Sequence, residues 1–357
     1  MISLFRGFDW ILLGGIVLLG AASLVSLLSS DPVLFSRQLI WYAAALVVIL
    51  AGSRLDWHFI INEPVFRKGL YWFSILLLVF VNFQAETVRG VKSWISLGGF
   101  DFQPVELAKL SLILTLAGFF SRRYVAAWLG KNIALSFFYA ALPAALVAIQ
   151  PDFGSAVVVI AIWGGFLLTS GVNKKRLFVG FLISILIIVF LWVSFLRPYQ
   201  QERILGFLNP NADPLGINYN VVQSKIAIGS AGFWGKGFGA GSQTQLGFLP
   251  EAETDFLFAA FVEEWGIFGG LVVIASFLTV LYRVIKIGVM AGNNDSKFIA
   301  LGLALTLATQ FFINVGSNLG ILPVTGINFP FLSYGGSSIL TLSILVSIIQ
   351  KIKIESY

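Results

Sequence analysis

The stretch from Phe248 to Gly266 carries five carboxylates, Glu251, Glu253, Asp255, Glu263 and Glu264, where a long polar segment runs into an apolar one. Carboxylates at such a boundary are costly to desolvate, so they call for a reason beyond packing. A carboxylate held there is a candidate proton acceptor. Glu263 and Glu264 lie about two helical turns beyond Asp255, and adjacent helical residues point about 100° apart, so the two are not expected to face the same neighbour.

Other polar residues sit at comparable boundaries. Glu106 and Lys109 are three apart at the start of an apolar run, so they share a helix face, and mutual neutralisation lowers the cost of each charge. They read either as a structural ion pair or as the lining of an outward cavity that holds a substrate group. Asp152 follows Gln150-Pro151 and precedes an apolar run, which is a helix N-cap position, and Asp255 has the same option. Lys236 lies between Gly235 and Gly237, where the backbone leaves room for close approach. It is a candidate phosphate partner, the alternative being a loop that closes on the membrane surface. Arg89, Lys92 and Trp94 read either as an interfacial belt or as receivers of a pyrophosphate and a sugar face.

The elements that carry these residues follow from composition. Of 357 residues, 58% are hydrophobic and 11% charged, against about 25% charged in a soluble domain. An all-α integral membrane protein with ten transmembrane helices is predicted, over 9–29, 35–51, 69–84, 104–120, 133–149, 153–170, 177–195, 255–282, 298–317 and 334–350. The first run is longer than the apolar core of a cleavable signal and reads as a span. The chain is a single polytopic domain, 1–357, with one long extracytoplasmic loop at about 196–254. Cysteine is absent and His58 is the one histidine, which excludes disulfides, thiolate chemistry and a Ser-His-Asp triad. Neither Walker A nor GxGxxG spacing occurs, so no nucleotide cradle is indicated.

Placing the N-terminus inside puts fifteen of the 23 Lys and Arg on the inner side, in short loops. The net charge of +6 therefore reflects membrane topology and not nucleic-acid binding. Both termini are expected in the cytoplasm, and the acidic residues, Asp152 and Asp255 among them, on the outer side of the cytoplasmic (inner) membrane.

Four blocks resemble one family. They are Gln103-Pro104-Val105-Glu106 with Lys109; Gln150-Pro151-Asp152-Phe153-Gly154; Pro250-Glu251 with Asp255-Phe256, Glu263-Glu264 and Gly266; and the run from Asn314 through Gly320, Pro323, Gly326 and Pro330 to Ser333-Tyr334-Gly335-Gly336. Together they are similar to the SEDS family (shape, elongation, division and sporulation), more to its elongation branch than to its division branch. Val105 and Ser93 depart from the pattern of many relatives. The resemblance implies a peptidoglycan glycosyltransferase that polymerises lipid II outside the membrane, with Asp255 as general base on the acceptor hydroxyl. Glu106, Lys109, Asp152, Arg89, Lys92, Trp94, Lys236 and Glu251 would bind substrate or line its cavity. It also implies a class B penicillin-binding protein as crosslinking partner, docked on the eighth and ninth spans, and other proteins of an elongation complex. No spacing establishes a metal site, although a divalent cation could help stabilise the leaving pyrophosphate. A flippase for the same lipid and a noncatalytic scaffold are the competing functions.

Overall fold

The structure, a computed structural model, describes residues 7–57, 63–84, 93–97, 100–123, 129–194, 201, 205–207, 216 and 218–356. Its elements are α1 (Trp10–Ser30), α2 (Pro32–Gly52), α3 (Pro64–Gln84), β1 (Ile95–Leu97), β2 (Phe100–Phe102), α4 (Pro104–Arg122), α5 (Gly130–Ile149), α6 (Phe153–Thr169) and α7 (Lys174–Ser194). Then come α8 (Tyr219–Ser230), α9 (Ser242–Gln245), α10 (Leu257–Met290), α11 (Asn294–Asn318) and α12 (Gly336–Glu355). The ten apolar segments coincide with α1 to α7 and α10 to α12, and the chain is an all-α membrane protein. Among the described residues, eight of these helices are long and apolar enough to cross a bilayer, and α6 is shorter at 17 residues.

The helices start where local chemistry lets them. Asp9, Asp31, Asp152 and Asn293 cap α1, α2, α6 and α11 by accepting backbone N–H groups of the first turn. Proline opens α2, α3 and α4, where its missing donor costs nothing. Helices also run past the apolar segments into charged turns. α3 begins at Pro64 and takes in Arg67 and Lys68, and α10 continues through Arg283 and Lys286 to Met290. Long cationic side chains reach out of the apolar layer, so the apolar run understates the helix.

α4 is the central helix. Nearly all of it is buried, and it packs against α3, α5, α6, α11 and α12. It is also among the least apolar of the spans, which is affordable because it faces protein and not lipid. Small residues bring the neighbours close: a Cβ on Gly302 of α11 would meet Ile113 of α4 at 2.5 Å, and one on Gly288 of α10 would meet Ala300 of α11 at 2.5 Å.

Hydrogen bonds define two ends of the bundle. At one end Arg283 of α10 grips Asp9, with Nε to Oδ2 at 2.9 Å, and Gln350 of α12 pairs with the Asp9 backbone at 2.8 and 3.0 Å. Beside it Asp295 accepts from Arg67 at 3.4 Å and from Ser121 at 3.0 Å, tying α3, α4 and α11. The opposite end carries the starts of α2, α4, α6, α10 and α12, with Asp31, Glu106, Asp152 and Asp255. There a β1–β2 hairpin, unanticipated from sequence, precedes α4. The segment expected to be a loop contains α8 and α9, and α8 packs on α10 and α11.

Candidate active site

Asp255 sits in a turn, 250–256, that leads into α10, and it is half-buried. It is not a cap: α10 starts at Leu257, its N-cap is Phe256, and no side chain caps it. The turn is fixed from several sides. Its first carboxylate, Glu251, has φ +56 and accepts from Thr254 Oγ1 at 2.8 Å. The Asp255 carbonyl accepts from Asn314 Nδ2 and Asn318 Nδ2, each at 2.9 Å. Ser333 Oγ donates to Thr254 O at 2.6 Å, and Tyr334 N donates to Glu253 O at 3.0 Å.

The partner of this turn is the irregular connection 319–335 between α11 and α12. Phe329 anchors it, packed against Phe258, Phe277 and Phe311 with ring centroids 5.3–6.0 Å away. Tyr42 OH donates to Phe331 O at 2.8 Å and holds that residue at φ +58. Gly326 lies beside Asp255: its φ is +75, and a Cβ there would come 3.8 Å from Asp255 Oδ2. Gly154, in the first turn of α6, presses on the same segment, where a Cβ would meet Thr325 O at 2.7 Å and Ile327 Cγ1 at 2.6 Å. Residues 325–327 therefore link the Asp255 turn to the Asp152 turn.

Asp152 caps α6 by accepting from Ser155 N at 3.0 Å, and Gln103 Nε2 lies 3.5 Å from its other oxygen. Burial pushes its carboxyl above the ordinary carboxylate range. The Ser155 hydrogen bonds and the Lys109 charge oppose that shift, and Glu106 reinforces it. Lys109 Nζ donates to Glu106 Oε1 at 2.8 Å. Both side chains are buried, 4% and 2% exposed, so in this conformation the pair faces protein and not an open cavity. Asp152, Glu106 and Lys109 thus form one electrostatic group. Trp94 is half-buried beside the hairpin, and Arg89 and Lys92 lie outside the described residues.

The expectation for Glu263 and Glu264 needs correcting. Both face the same glycine-rich loop, because the loop wraps around them. Glu263 accepts from Lys236 Nζ at 2.6 Å, from Gln243 N at 2.9 Å, and from Thr244 N and Oγ1 at 3.1 and 3.0 Å. Glu264 Oε1 accepts from Ser29 Oγ, from Gly239 N at 3.2 Å and from Gln245 Nε2 at 3.3 Å. Lys236 is therefore engaged in an ion pair in this structure. The loop also mends α10, which breaks at Gly266, φ +73. Lys236 N and Gly237 N donate to the carbonyls of Glu263 and Glu264, while Ile267 N and Phe268 N donate to those of Gly232 and Phe233.

Sequence reasoning missed Asn318, Gln38 and Ser333 as supports of the site, and it quoted Asn314 and Ser333 only within a motif. The available signal was two amides one turn apart near the end of an otherwise apolar helix. Among the described residues no three of His, Cys, Asp and Glu come together as a metal set.

Fold and site define a multi-pass α-helical membrane protein with a polar site at one end of the bundle, built from helix starts and one irregular connection. Residues 2–357 match the family of cell cycle proteins comprising FtsW, RodA and SpoVE, and the chain belongs to it. It is 39% identical to the peptidoglycan glycosyltransferase MrdB of Escherichia coli K12 over 284 residues, 79% of this chain and 76% of that one. It is 36% identical to the probable peptidoglycan glycosyltransferase FtsW of Haemophilus influenzae, over 99% of this chain and 90% of that one. A solved peptidoglycan synthase complex that coordinates polymerization and crosslinking contains a chain similar at TM-score 0.84 and 30% identity, covering 98% of each. The Thermus thermophilus rod shape determining protein RodA gives TM-score 0.73 and 26% identity, again over 98% of each.

The Glu106–Lys109 pair makes a direct prediction. Glu106→Ala leaves a buried ammonium without its carboxylate, a change worth about 3–5 kcal/mol. A clear drop in the thermal midpoint of the purified protein is expected, with loss of activity. Parental heat stability together with full activity would show that the pair is dispensable.

Proposed function

We propose that this chain polymerises lipid II into glycan strands during cell elongation, with Asp255 as the general base. Its class of activity, peptidoglycan glycosyltransfer in cell-wall synthesis, follows from its family and from relatives that carry that name across most of its length. The substrate, the elongation role and the assignment of residues are the proposal.

The chemistry asks for little beyond what the site holds. The acceptor hydroxyl oxygen attacks the anomeric carbon of the donor sugar, its proton passes to Asp255, and the bond from that carbon to the pyrophosphate breaks. The leaving group comes with the substrate, so no ATP is needed outside the cell. The observation that carries the reading is the mounting of Asp255. It is half-buried at the mouth of α10, released from capping, and fixed through its own carbonyl by two buried amides. Asp152, joined to it through 325–327, would receive polar groups of the substrate, and Glu106 and Lys109 would do so only once their buried pair opens. Glu251 shapes the Asp255 turn, and Trp94, Arg89 and Lys92 are assigned to the sugar and pyrophosphate. Lys236 would reach a phosphate only by leaving Glu263.

The same reading puts the Asp255 end of the bundle outside the cytoplasmic membrane and both termini inside. The end opposite the site, rich in Lys and Arg, is closed by Asp9–Arg283 and Arg67–Asp295, an arrangement more suited to a one-sided enzyme than to a flippase.

A class B penicillin-binding protein is the proposed crosslinking partner. Its single membrane helix would dock in the apolar groove between α10 and α11, about 400 Å³, lined by Leu281, Ile285, Val289, Leu301 and Leu305 with Ala304. Small residues in such a groove admit a close helix.

Three measurements test these statements. Asp255→Asn cannot take a proton, and a well-placed base contributes about 10²–10⁴ in rate. The variant should fold and form no detectable polymer from labelled lipid II, and near-normal polymerisation would move the base elsewhere, with Asp152 next in line. An impermeant thiol reagent added outside cells should modify a cysteine placed at Gln243 and leave one at Lys175 untouched, and the reverse pattern would sink the orientation. Deleting the partner's membrane helix should abolish co-purification, whereas retention of the complex would place the main contact outside the α10–α11 groove.

A further inference from the structure

One buried side chain ties together the two chain segments that flank the Asp255 carboxylate. Asn314, on α11 and 1% exposed, donates from Nδ2 to Asp255 O at 2.9 Å and to Ile327 O at 2.8 Å. An amide nitrogen has two protons, so its donor capacity is divided evenly, one bond to each segment. The first segment carries Asp255. The second carries Gly326, where a Cβ would come 3.8 Å from Asp255 Oδ2. Asn318, one turn further on, behaves differently: it donates to the same Asp255 carbonyl at 2.9 Å and accepts from Ala259 N at 3.2 Å, both on the α10 side. Asn318 thus secures the start of α10, and Asn314 spans the gap.

We propose that Asn314 is a positioning residue for Asp255, setting the separation between the carboxylate and the 326–327 wall and so the place where the acceptor hydroxyl meets its base. The inference rests on the reading of Asp255 as general base. It is separable from a purely structural role. If Asn314 only satisfied buried carbonyls, its loss would lower stability and yield, and each folded molecule would turn over as before. If it positions Asp255, each folded molecule slows while its substrate contacts persist, so kcat falls and KM does not move. A misplacement of about 1 Å costs on the order of 10²-fold.

The experiment uses the purified full chain with labelled lipid II, rates normalised to folded, monodisperse protein. Asn314→Leu keeps approximate volume and removes both donors; Asn314→Ser keeps one donor too short to span both carbonyls and is the milder lesion for folding. The expected result is a fall in kcat of on the order of 10²-fold for Asn314→Leu, a smaller fall for Asn314→Ser, and KM near the parental value in both. Parental kcat in either folded variant, beside an inactive Asp255→Asn, would overturn the positioning role and leave the base assignment standing. Failure of both variants to fold would assign Asn314 to the fold alone and overturn it as well. Normal turnover by Asp255→Asn would remove the base reading, and this inference with it.

Discussion

Inside a bilayer no water is available to a backbone N–H or C=O, so any departure from helix must be satisfied by protein. This chain departs twice near its polar site, at Gly266 within α10 and through the connection 319–335, and both departures are filled from elsewhere in the sequence. At Gly266 the glycine-rich loop supplies two donors and two acceptors from its own backbone, and the carboxylates of Glu263 and Glu264 hold that loop in place. At 319–335 the work falls to side chains: Asn314 on Ile327, Gln38 on Ser333, Tyr42 on Phe331 and Ser333 on Phe329. Because two of these groups, Asn314 and Ser333, also reach 254–255, satisfying the backbone and mounting Asp255 are one arrangement.

That constraint sorts the five carboxylates. Glu263 is buried and accepts at least four hydrogen bonds, as expected of a charge whose task is to anchor. Glu264 is buried too and bridges α1 to the loop. Glu251 and Glu253 serve the turn, one through Thr254 Oγ1 and the other through its carbonyl to Tyr334 N. Asp255 differs in being only half-buried, with its backbone carbonyl held by Asn314 and Asn318. A base needs that combination of fixed position and solvent-side access, and a latch does not.

Much of this was legible in the sequence. Apolar runs located ten of the helices, and Asp152 read correctly as a cap, because burial and capping are local in origin. The start of α10 was misjudged by two residues since Asp255 has the right chemistry for a cap, and only the turn set by Glu251 places Phe256 there instead. α8 was not visible, having 12 residues and depending on contacts such as Ser224 Oγ to Asn318 O. The hairpin strands have three residues each, below any readable periodicity. The embrace of both glutamates by one loop was invisible for a different reason: helix geometry gives the angle between two side chains but not the path of the chain that comes to meet them.

The placement of cations completes the argument. Lys236 was read as a possible phosphate partner, and Lys109 either as half of an ion pair with Glu106 or as a holder of a substrate group; each is matched to a glutamate within 2.8 Å. Desolvating an ammonium without a counter-charge costs several kcal/mol, so a resting site in lipid cannot store bare cations for a pyrophosphate. It can store them paired. A lipid-linked pyrophosphate then has to compete with a carboxylate already in place, and its two phosphates bring more charge than the single glutamate they would displace. For Lys109 the displaced Glu106 would stay buried without its counter-charge. For Lys236 the displaced Glu263 would keep its backbone donors from Gln243 and Thr244. By this comparison Lys236 is the less costly of the two to release from its carboxylate.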